Sequence, residues 1–329
     1  MAIISVENLS RAFARTKAVD TVSFSVDAES IFGFLGPNGA GKTTTINILC
    51  TLLAPTEGRA SIDGQDCVHD AASVRERIGI VFQDNTLDKE LSAYENLWFH
   101  AKLYRVPRDE RKIRVEEALV FAGLIDRRND PVKRFSGGMK RRLEVARAIV
   151  HQPKVLFLDE PTIGLDPQSR SSLWEFIGQL PKTRGVTIFM TTHYLDEAEI
   201  CDRIAIIDHG RIIAEGTPDE LKKLVGGDVI YLKTTNNTAA IQMLHDSLEL
   251  HAEEREAEIF ISTSRGDACI PKLIGALADS VVSVRLQRPT LNDVFLKLTG
   301  RAMREEPVSG SDTVREAVRS YRKRFERGK

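Results

Sequence analysis

A glycine-rich segment that runs into a lysine and two threonines is the first candidate for chemistry in the sequence. Residues 36–44 read GPNGAGKTT and contain the pattern G-x-x-x-x-G-K-[ST]. Glycines at these positions let the backbone approach a ligand closely, so that successive N–H groups face phosphate oxygens at the positive end of the following helix. Lys42 is placed to reach the β- and γ-phosphates, and Thr43 is placed to offer its hydroxyl to Mg²⁺. The predicted nucleoside triphosphate site comprises Gly36, Pro37, Asn38, Gly39, Ala40, Gly41, Lys42, Thr43 and Thr44.

Two adjacent carboxylates form the second candidate group. Four apolar residues, 155–158, precede Asp159 and Glu160 and predict a buried strand that ends in both acids. Ligands of open parallel sheets bind at this end of the strands. Asp159 is placed to hold Mg²⁺, directly or through water, and Glu160 to polarise an attacking water as general base. Taken alone, the run also fits a strand that ends in solvated acids, but the nearby phosphate loop favours a hydrolytic site.

The hydropathy pattern predicts an α/β framework for these residues. A strand near 31–35 leads through the glycine-rich loop into a helix predicted over 42–53, which Ala54 and Pro55 end. This order of strand, glycine loop and helix is the one that a phosphate-binding core requires. Further strands are predicted near 3–6, 22–26, 78–82, 155–158, 186–190 and 204–207, and further helices within 92–151 and near 169–180.

A smaller pattern of strands and helices begins after Gly226 and Gly227. Strand-like runs alternate with helical ones, which predicts a compact βαβαβα domain over 228–300. The strands are expected near 229–233, 259–262 and 281–286, and the helices near 241–248, from Pro271 onward and over 291–298. The remaining segment, 301–329, is charged; it fits a basic amphipathic helix or a solvated, frayed tail, and both readings stay open.

Composition excludes some classes of protein. The 329 residues include 46 Lys and Arg against 47 Asp and Glu, so the net charge of -1 gives no broad basic face, and we expect no nucleic-acid partner. Four cysteines without a CxxC pair indicate a reducing cytoplasm. We expect neither a secretory signal nor a transmembrane helix, because the apolar runs are far shorter than about 18 residues.

The sequence FSGGM at 135–139 lies between the two candidate groups and leads into a basic helix. Here the chain resembles the ATP-binding cassette (ABC) family, whose signature of the LSGGQ kind matches at Ser136, Gly137 and Gly138 and departs at Phe135 and Met139. A serine and two glycines at a helix start form an anion-binding nest, although they are also an ordinary helix cap. The resemblance implies that this nest closes on a γ-phosphate held by a second subunit. It therefore implies a homodimer or a dimer with a sister ATPase subunit.

Four further positions match motifs of the same family. Gln83 resembles the Q-loop glutamine that meets Mg²⁺ and senses the membrane partner, and Asp166 resembles the D-loop aspartate. His193 resembles the switch histidine at the γ-phosphate, and Phe13 resembles the aromatic that stacks on adenine. Each also has an ordinary structural reading, as a loop residue, a helix cap, a structural histidine or a core aromatic. The implied catalytic residues are Lys42, Gln83, Glu160 and His193, and the implied metal ligands are Thr43, Gln83 and Asp159.

The resemblance covers about residues 2–225 and implies a fold and a mechanism. The expected fold class is α/β: a P-loop NTPase core of the ABC type over 1–225, with an antiparallel β subdomain and a helical subdomain near 84–151, plus a small C-terminal α+β domain. Two subunits would enclose two molecules of ATP with Mg²⁺, and hydrolysis would reopen the pair. The motion would pass through the loop after Gln83 to a separate transmembrane permease, so the expected location is the cytoplasmic face of the membrane.

The sequence RPTLNDVFLKLTG at 288–300 narrows the resemblance further. It resembles the C-terminal segment of daunorubicin-resistance-type ATPases of ABC-2 exporters, and both FSGGM and THYLDEAE at 192–199 fit that branch. The same segment is also a plain amphipathic helix. The branch implies an ATPase subunit that powers export of a drug or another hydrophobic small molecule through an ABC-2 permease. An exporter of lipid, polysaccharide or ions, and a soluble ABC ATPase without a transport role, are the alternatives.

Overall fold

The computed structural model describes residues 2–14, 16–248, 250–255, 258–263 and 265–300. Over this range the chain forms two compact units, of which the first extends to Glu215 and the second begins at Gly216. The segment 301–329, for which a basic helix or a frayed tail was expected, lies outside the described residues.

The first unit is built on two sheets and two groups of helices. Its strands are β1 (Ala2–Phe13), β2 (Thr16–Asp27), β3 (Ile31–Leu35), β4 (Glu57–Ile62), β5 (Gln65–Asp66), β6 (Ile78–Val81), β7 (Val155–Asp159), β8 (Thr187–Thr192), β9 (Arg203–Asp208) and β10 (Arg211–Gly216). Its helices are α1 (Lys42–Leu49), α2 (Ala71–Arg77), α3 (Ala93–Leu103), α4 (Arg108–Phe121), α5 (Gly137–Ile149), α6 (Pro167–Gly178) and α7 (Leu180–Arg184). The α/β class predicted from the sequence is confirmed.

The larger sheet brings the ends of its strands to one edge. Its order is β10-β9-β3-β8-β7-β6, and β3, β6, β7, β8 and β9 run parallel. Every residue of β3, β7 and β8 is buried, as expected for central parallel strands covered on both faces. This strand order places the glycine loop after β3 next to the end of β8 and one strand away from the end of β7. This edge is the switch point at which ligands of open α/β sheets bind.

Aromatic side chains fill the space between the two sheets. The second sheet, β2-β1-β4-β5, is antiparallel. Phe24 of this sheet lies 5.5 Å from Phe32 and 5.9 Å from Phe189, measured between ring centroids. Burying a phenylalanine contributes about 1.5–3 kcal/mol. These rings therefore hold the antiparallel sheet to the parallel one behind the glycine loop.

Three helices, α3, α4 and α5, form the helical part of the first unit. Ser92 begins α3 with a capping box, since it accepts from the Glu95 N–H while the Glu95 carboxylate accepts from the Ser92 N–H. The buried Asn96 amide then donates to the carbonyls of Asp88 and Ser92. These bonds fix the segment that leads from β6 into the helices.

Helix α1 is shorter than predicted. It ends at Leu49, and Thr51 adopts a positive φ of 62°, so the predicted extension to Leu53 is wrong. The N–H groups of Leu52 and Leu53 both donate to Asn47 O, which closes the helix with a turn. The apolar spacing of Leu49 and Leu53 suggested a further helical turn that the backbone does not make.

The second unit is a four-stranded antiparallel sheet with helices. It consists of α8 (Pro218–Lys223), β11 (Asp228–Thr234), α9 (Asn237–Leu248), β12 (Ala252–Arg255), β13 (Glu258–Thr263), α10 (Gly266–Leu277), β14 (Val281–Gln287) and α11 (Leu291–Thr299). The strand order is β12-β13-β11-β14. Leu244 of α9 and Leu273 of α10 are fully buried in its core with Ile230 and Ile261. The unit thus has a hydrophobic core of its own.

Two details of the second unit differ from the sequence prediction. An additional strand, β12, precedes β13, so the order is βαββαβα. The helix predicted to start at Pro271 starts at Gly266 and contains the proline. Tertiary contacts fix this start, because the Gly266 N–H donates to Asp228 Oδ2 at 2.8 Å and a Cβ at Gly266 would lie 2.3 Å from Leu286.

Candidate active site

The phosphate loop joins β3 to α1 and holds Lys42 in a buried position. Lys42 is 5% exposed, and its ammonium donates to Gly36 O at 2.7 Å and to Pro37 O at 3.2 Å. Gly41, which precedes the helix, has a φ of 111°, and a Cβ there would lie 2.4 Å from Ala18 O. The loop therefore requires glycine at this position, both for its backbone conformation and for its space.

Asp159 ends β7 beside Thr43 and Thr191. The Thr191 hydroxyl donates to Asp159 Oδ1 at 2.5 Å, and the Thr43 side chain is near enough to lower the pKa of the same carboxyl. Burial raises the pKa of Asp159 above its ordinary value, which these hydroxyls and the charge of Lys42 oppose. A carboxylate and a hydroxyl are the hard oxygen donors that suit Mg²⁺. Among the described residues no three His, Cys, Asp or Glu side chains form a metal cluster.

Glu160 follows Asp159 in a strained backbone conformation. Its φ is +47°, and its N–H donates to both the carbonyl and the hydroxyl of Thr191 at 3.1 Å. A positive φ is uncommon for a residue with a side chain. The two acids have different partners, since Asp159 is bonded to Thr191 whereas Glu160 lies against Lys42 and His193. The pairing of β7 with β8 therefore fixes the backbone of both neighbouring acids.

Two basic groups contact the Glu160 carboxylate. Its Oε1 lies 3.2 Å from Lys42 Nζ, and its Oε2 lies 3.2 Å from His193 Nδ1, an approach without the alignment of a hydrogen bond. Burial alone would raise the pKa of Glu160, but the contacts with His193 and Lys42 outweigh it and hold that pKa below the ordinary value. A general base must be ionised at working pH, and this environment keeps it so.

His193 reaches Glu160 because it follows β8, the strand next to β7. The side chain is buried, and its ring centroid lies 4.1 Å from that of Tyr194. Gln83 also follows a strand at this edge, since Val81 of β6 pairs with Leu158 of β7. It is half-buried two residues beyond the strand end. Because β3, β6, β7 and β8 run parallel, the segments that follow them lie at the same edge of the sheet.

The other predicted site residues lie on separate elements. Ser136 is exposed and caps α5 by accepting from the Met139 N–H at 3.3 Å. Asp166 caps α6 by accepting a hydrogen bond from the Ser169 N–H at 2.9 Å, as expected for a helix cap. Phe13 ends β1 with 41% of its surface exposed, and the Arg11 guanidinium lies 4.6 Å from its ring centroid. An exposed aromatic ring of this kind is accessible to a planar ligand.

Sequence reasoning missed Arg141, which ties α5 to this edge. Arg141 is buried and donates to Phe82 O at 2.6 Å, Pro161 O at 2.5 Å and Glu160 O at 3.3 Å, and it pairs with Glu144 at 2.9 Å. From the sequence, the run from Lys140 was predicted only to form a basic helix. A sequence signal exists, since 141 shares a helix face with the buried Val145 and Ala148 at spacings of four and seven.

The site and fold are those of an ATP-hydrolysing cassette, and comparison with known proteins agrees. The family described as "ABC transporter" matches residues 19–163, and the family "ATP-binding protein DrrA1-3-like, C-terminal domain" matches residues 216–299. The linearmycin resistance ATP-binding protein LnrL of Bacillus subtilis is 38% identical over 312 residues, which are 92% of this chain and 100% of that protein. The chain belongs to the ABC transporter family of ATP-binding proteins.

Other relatives and solved structures point the same way. The daunorubicin/doxorubicin resistance ATP-binding protein DrrA of Streptomyces peucetius is 39% identical, with 90% of this chain and 92% of that protein covered. The Nod factor export ATP-binding protein I of Ralstonia nicotianae is 38% identical, with 92% and 95% covered. CbiO1 of Clostridium perfringens, part of the ABC transporter complex CbiONQ, has a TM-score of 0.64 at 31% identity over 75% of this chain and 96% of that one. A dimeric ATP-binding cassette in a post-hydrolysis state with ADP and Pi has a TM-score of 0.58 at 28% identity over 65% and 98%.

These relationships establish the class of activity. The chain is a nucleotide-binding ATPase subunit of an ABC exporter. None of the helices over the described residues is long and apolar enough to cross a membrane.

Proposed function

We propose that the chain hydrolyses ATP with Mg²⁺ in a site completed by a second chain, and that hydrolysis drives export of a hydrophobic small molecule through an ABC-2 permease. One observation carries the proposal. The buried Glu160 carboxylate lies between Lys42 and His193, next to Asp159 and the start of α1. A base, a phosphate-binding cation and a pair of metal-binding oxygens thus lie at one edge of the sheet.

Each group has a definite task in this proposal. The loop N–H groups and Lys42 bind the β- and γ-phosphates, and the positive end of α1 adds to their attraction. Thr43, Asp159 and Gln83 would hold Mg²⁺, which when bound would supply positive charge to neutralise the phosphates. Glu160 orients and deprotonates the attacking water, and His193 contacts the γ-phosphate. Phe13 supplies a face for the adenine ring.

The second chain contributes Ser136 and the N–H groups of Gly137 and Gly138. Ser136 and Gly137 are exposed at the start of α5, where an anion can approach, and the dimeric solved relative supports a pair of cassettes. Asp166 is exposed at the start of α6 and would meet the same loop of the partner chain. Either a second copy of this chain or a sister ATPase subunit fits this arrangement.

Mixing two inactive variants tests the shared site. Lys42→Ala removes the phosphate cation of one chain, and Ser136→Arg blocks the nest of the other. In a mixed pair, one site combines an intact Lys42 with an intact Ser136, so ATP hydrolysis should return when the two inactive proteins are combined. Differently tagged chains show by co-elution that mixed pairs form. Mixed pairs that form and still fail to hydrolyse ATP would contradict a site built from two chains.

The cargo proposal rests on the relatives named for resistance to linearmycin and daunorubicin. Relatives named for Nod factor export favour a second candidate, an exporter of another type of cargo. Drug tolerance distinguishes the two cargo candidates. It is compared between cells that express the chain with its membrane permease and cells that express the Glu160→Gln variant with the same permease. Tolerance of a hydrophobic drug that depends on Glu160 supports drug export. Equal sensitivity of both strains to a panel of such drugs favours the second candidate.

A further inference from the structure

A buried carboxylate that has no part in the site described above lies just behind it. Glu197 is 5% exposed and belongs to a short 3-10 turn that follows His193. Its Oε2 accepts a hydrogen bond from the Thr192 hydroxyl at 2.7 Å, and its Oε1 accepts one from the Thr162 hydroxyl. Each oxygen of one side chain is therefore bonded to a different segment of the chain.

These two segments carry the residues on either side of the hydrolysis site. Thr192 is the last residue of β8 and directly precedes His193. Thr162 follows Glu160 by two residues and begins the loop that leads to Asp166 and α6. Glu197 thus connects the backbone next to the base with the backbone next to the histidine.

A third element joins the same carboxylate. Arg170 of α6 has its Nε 3.6 Å from Glu197 Oε1, and this buried Nε has no hydrogen-bond partner. The Arg170 guanidinium lies 4.4 Å from the centroid of the Tyr194 ring, which in turn lies 4.1 Å from the ring of His193. An arginine over an aromatic face is attracted to it by the ring quadrupole. The start of α6 is thereby connected to His193 through Tyr194 as well as through Glu197.

We propose that Glu197 is a positioning residue for ATP hydrolysis, which holds the loop 161–166 and the segment 192–194 as one unit. The inference rests on the proposed function of Glu160 and His193. When the loop around Asp166 meets a second chain, its displacement passes through Thr162 and Glu197 to Thr192 and so to His193. Glu197 makes no contact with the nucleotide in this account; it sets where His193 lies relative to Glu160.

The predicted effect falls on the chemical step. The phosphate loop and Lys42 do not depend on Glu197, so variants of its network should bind ATP with an unchanged Kd and an unchanged KM. The kcat should fall, because a displacement of about 1 Å in a reacting group costs up to roughly 100-fold in rate. A loss of kcat at constant KM marks an interaction that matters in the transition state.

Single hydroxyls provide the variants. Thr162→Val removes one hydrogen bond to Glu197 with little change in volume, and Thr162→Ser keeps the hydroxyl. Thr192→Val removes the other bond to Glu197, together with the bond that Thr192 Oγ1 accepts from the Tyr194 N–H at 2.9 Å. The matched control is Thr187→Val, which removes a buried hydroxyl from the far end of the same strand, where it accepts from the Glu29 N–H at 2.8 Å. The expected kcat falls at least tenfold in both valine variants relative to Thr187→Val, and Thr162→Ser restores it.

The double variant Thr162→Val/Thr192→Val tests the shared carboxylate. Because both hydroxyls share the Glu197 carboxylate, the kcat of the double variant should fall by less than the product of the two single losses, even though Thr192→Val also removes the bond from the Tyr194 N–H. Thermal unfolding of each variant measures the structural cost separately. If Thr162→Val and Thr192→Val hydrolyse ATP like Thr187→Val, or lose kcat only in proportion to folded protein, Glu197 is structural and the inference is wrong. If Glu160→Gln also hydrolyses like the parent, the proposed function itself fails; if only Glu160→Gln is inactive, the function stands and this inference alone falls.

Discussion

The Lys42 ammonium and the Glu160 carboxylate lie 3.2 Å apart, and both side chains are buried at the same edge of the parallel sheet. The loop after β3 supplies the lysine and the end of β7 supplies the glutamate. His193 contacts the other carboxylate oxygen at 3.2 Å, so Glu160 is held in its ionised form by two basic side chains. The proposed phosphate-binding cation and the proposed base are therefore in direct contact in the folded chain.

Breaking this ion pair should destabilise the fold. Lys42→Met leaves the buried carboxylate with His193 alone, and loss of one partner of a buried pair costs about 3 kcal/mol. The double variant Lys42→Met/Glu160→Gln should recover most of that loss, because no charge is left without its cation. Urea unfolding at pH 7 measures both differences.

The same pair predicts a pH dependence. The pKa of Glu160 in the folded chain lies below its ordinary value of 4.5, so its ionised form stabilises the fold above that pH. The stabilisation is lost as the pH falls through the lower, folded-state pKa. The stability gap between the parent and Lys42→Met should therefore narrow in acid. A gap that stays constant from pH 7 to acid would show that the lysine acts by packing.

Two glycines of the phosphate loop, Gly36 and Gly39, should differ in how well they tolerate an added side chain. A Cβ at Gly36 would lie 2.2 Å from Ile207 O, whereas a Cβ at Gly39 would have no atom within 4 Å. Gly36→Ala should abolish ATP binding, because the loop must move to relieve the backbone clash. Gly39→Ala should weaken binding less, since its only strain is a positive φ of 79°, worth about 1–2 kcal/mol. Titration with a fluorescent ATP analogue compares the two, and equal affinities would contradict the geometry.

Arg141 should be needed for both stability and turnover. Arg141→Met removes its bonds to Phe82 O and Pro161 O and leaves Glu144 buried without its cation, at a cost of about 3 kcal/mol. Adding Glu144→Gln should recover part of the stability, but the carbonyls beside Glu160 remain without their donor, so kcat should stay low. Arg142→Ala, one residue along the helix, is the matched control. Calorimetry and steady-state ATP hydrolysis measure the two effects, and a double variant with parental kcat would remove Arg141 from the account.

Two half-buried histidines, His100 and His151, should make the first unit sensitive to acid. Tyr104 stacks on His151 at 3.9 Å and lies 4.6 Å from His100, and burial lowers the pKa of His100 to about 3 and that of His151 to about 4. The unfolded chain binds these protons near pH 6.5, so stability falls as the pH drops below that value. Each histidine contributes a slope of up to about 1.4 kcal/mol per pH unit.

Substitution of one histidine should reduce that slope. His100→Gln removes one protonation that occurs only on unfolding, so the free energy of unfolding should decline less steeply between pH 6 and pH 4.5. Phe99→Gln, at an exposed side chain next to His100 that has no proton to gain, should leave the slope as it is. Urea unfolding across this pH range measures the slope. Equal slopes of the free energy of unfolding against pH for the parent and His100→Gln would contradict burial as the cause of the low His100 pKa.

Much of the fold and most of the site could be predicted because their signals are local. The apolar run of β7 predicts its burial on both faces, and the glycine loop must join a strand to a helix in order to bind phosphate. Elements without such signals were missed, among them β4, β5, α2, β10 and β12. Their stability comes from pairing with strands distant in sequence, which a single local window does not reveal.

The networks behind the site could not be predicted for a related reason. Arg141 stands in a basic run and Glu197 in an acidic one, and such runs usually face solvent. Only the folded arrangement buries these two side chains and supplies partners from segments far away in sequence, as Phe82 does for Arg141 and Thr162 does for Glu197. The roles of Arg141 and Glu197 depend on these tertiary partners, which cannot be identified from a single sequence.

The most direct test of the central claim is the rate of ATP hydrolysis by the purified chain and its Glu160→Gln variant, with Glu175→Gln on the exposed face of α6 as control. Removing the base should reduce turnover by at least about 100-fold while ATP stays bound, because Lys42 and the loop are intact. The variant should then elute as a two-chain complex in the presence of Mg²⁺ and ATP, and Glu175→Gln should behave like the parent. Hydrolysis by Glu160→Gln at the parental rate would contradict the assignment of the base.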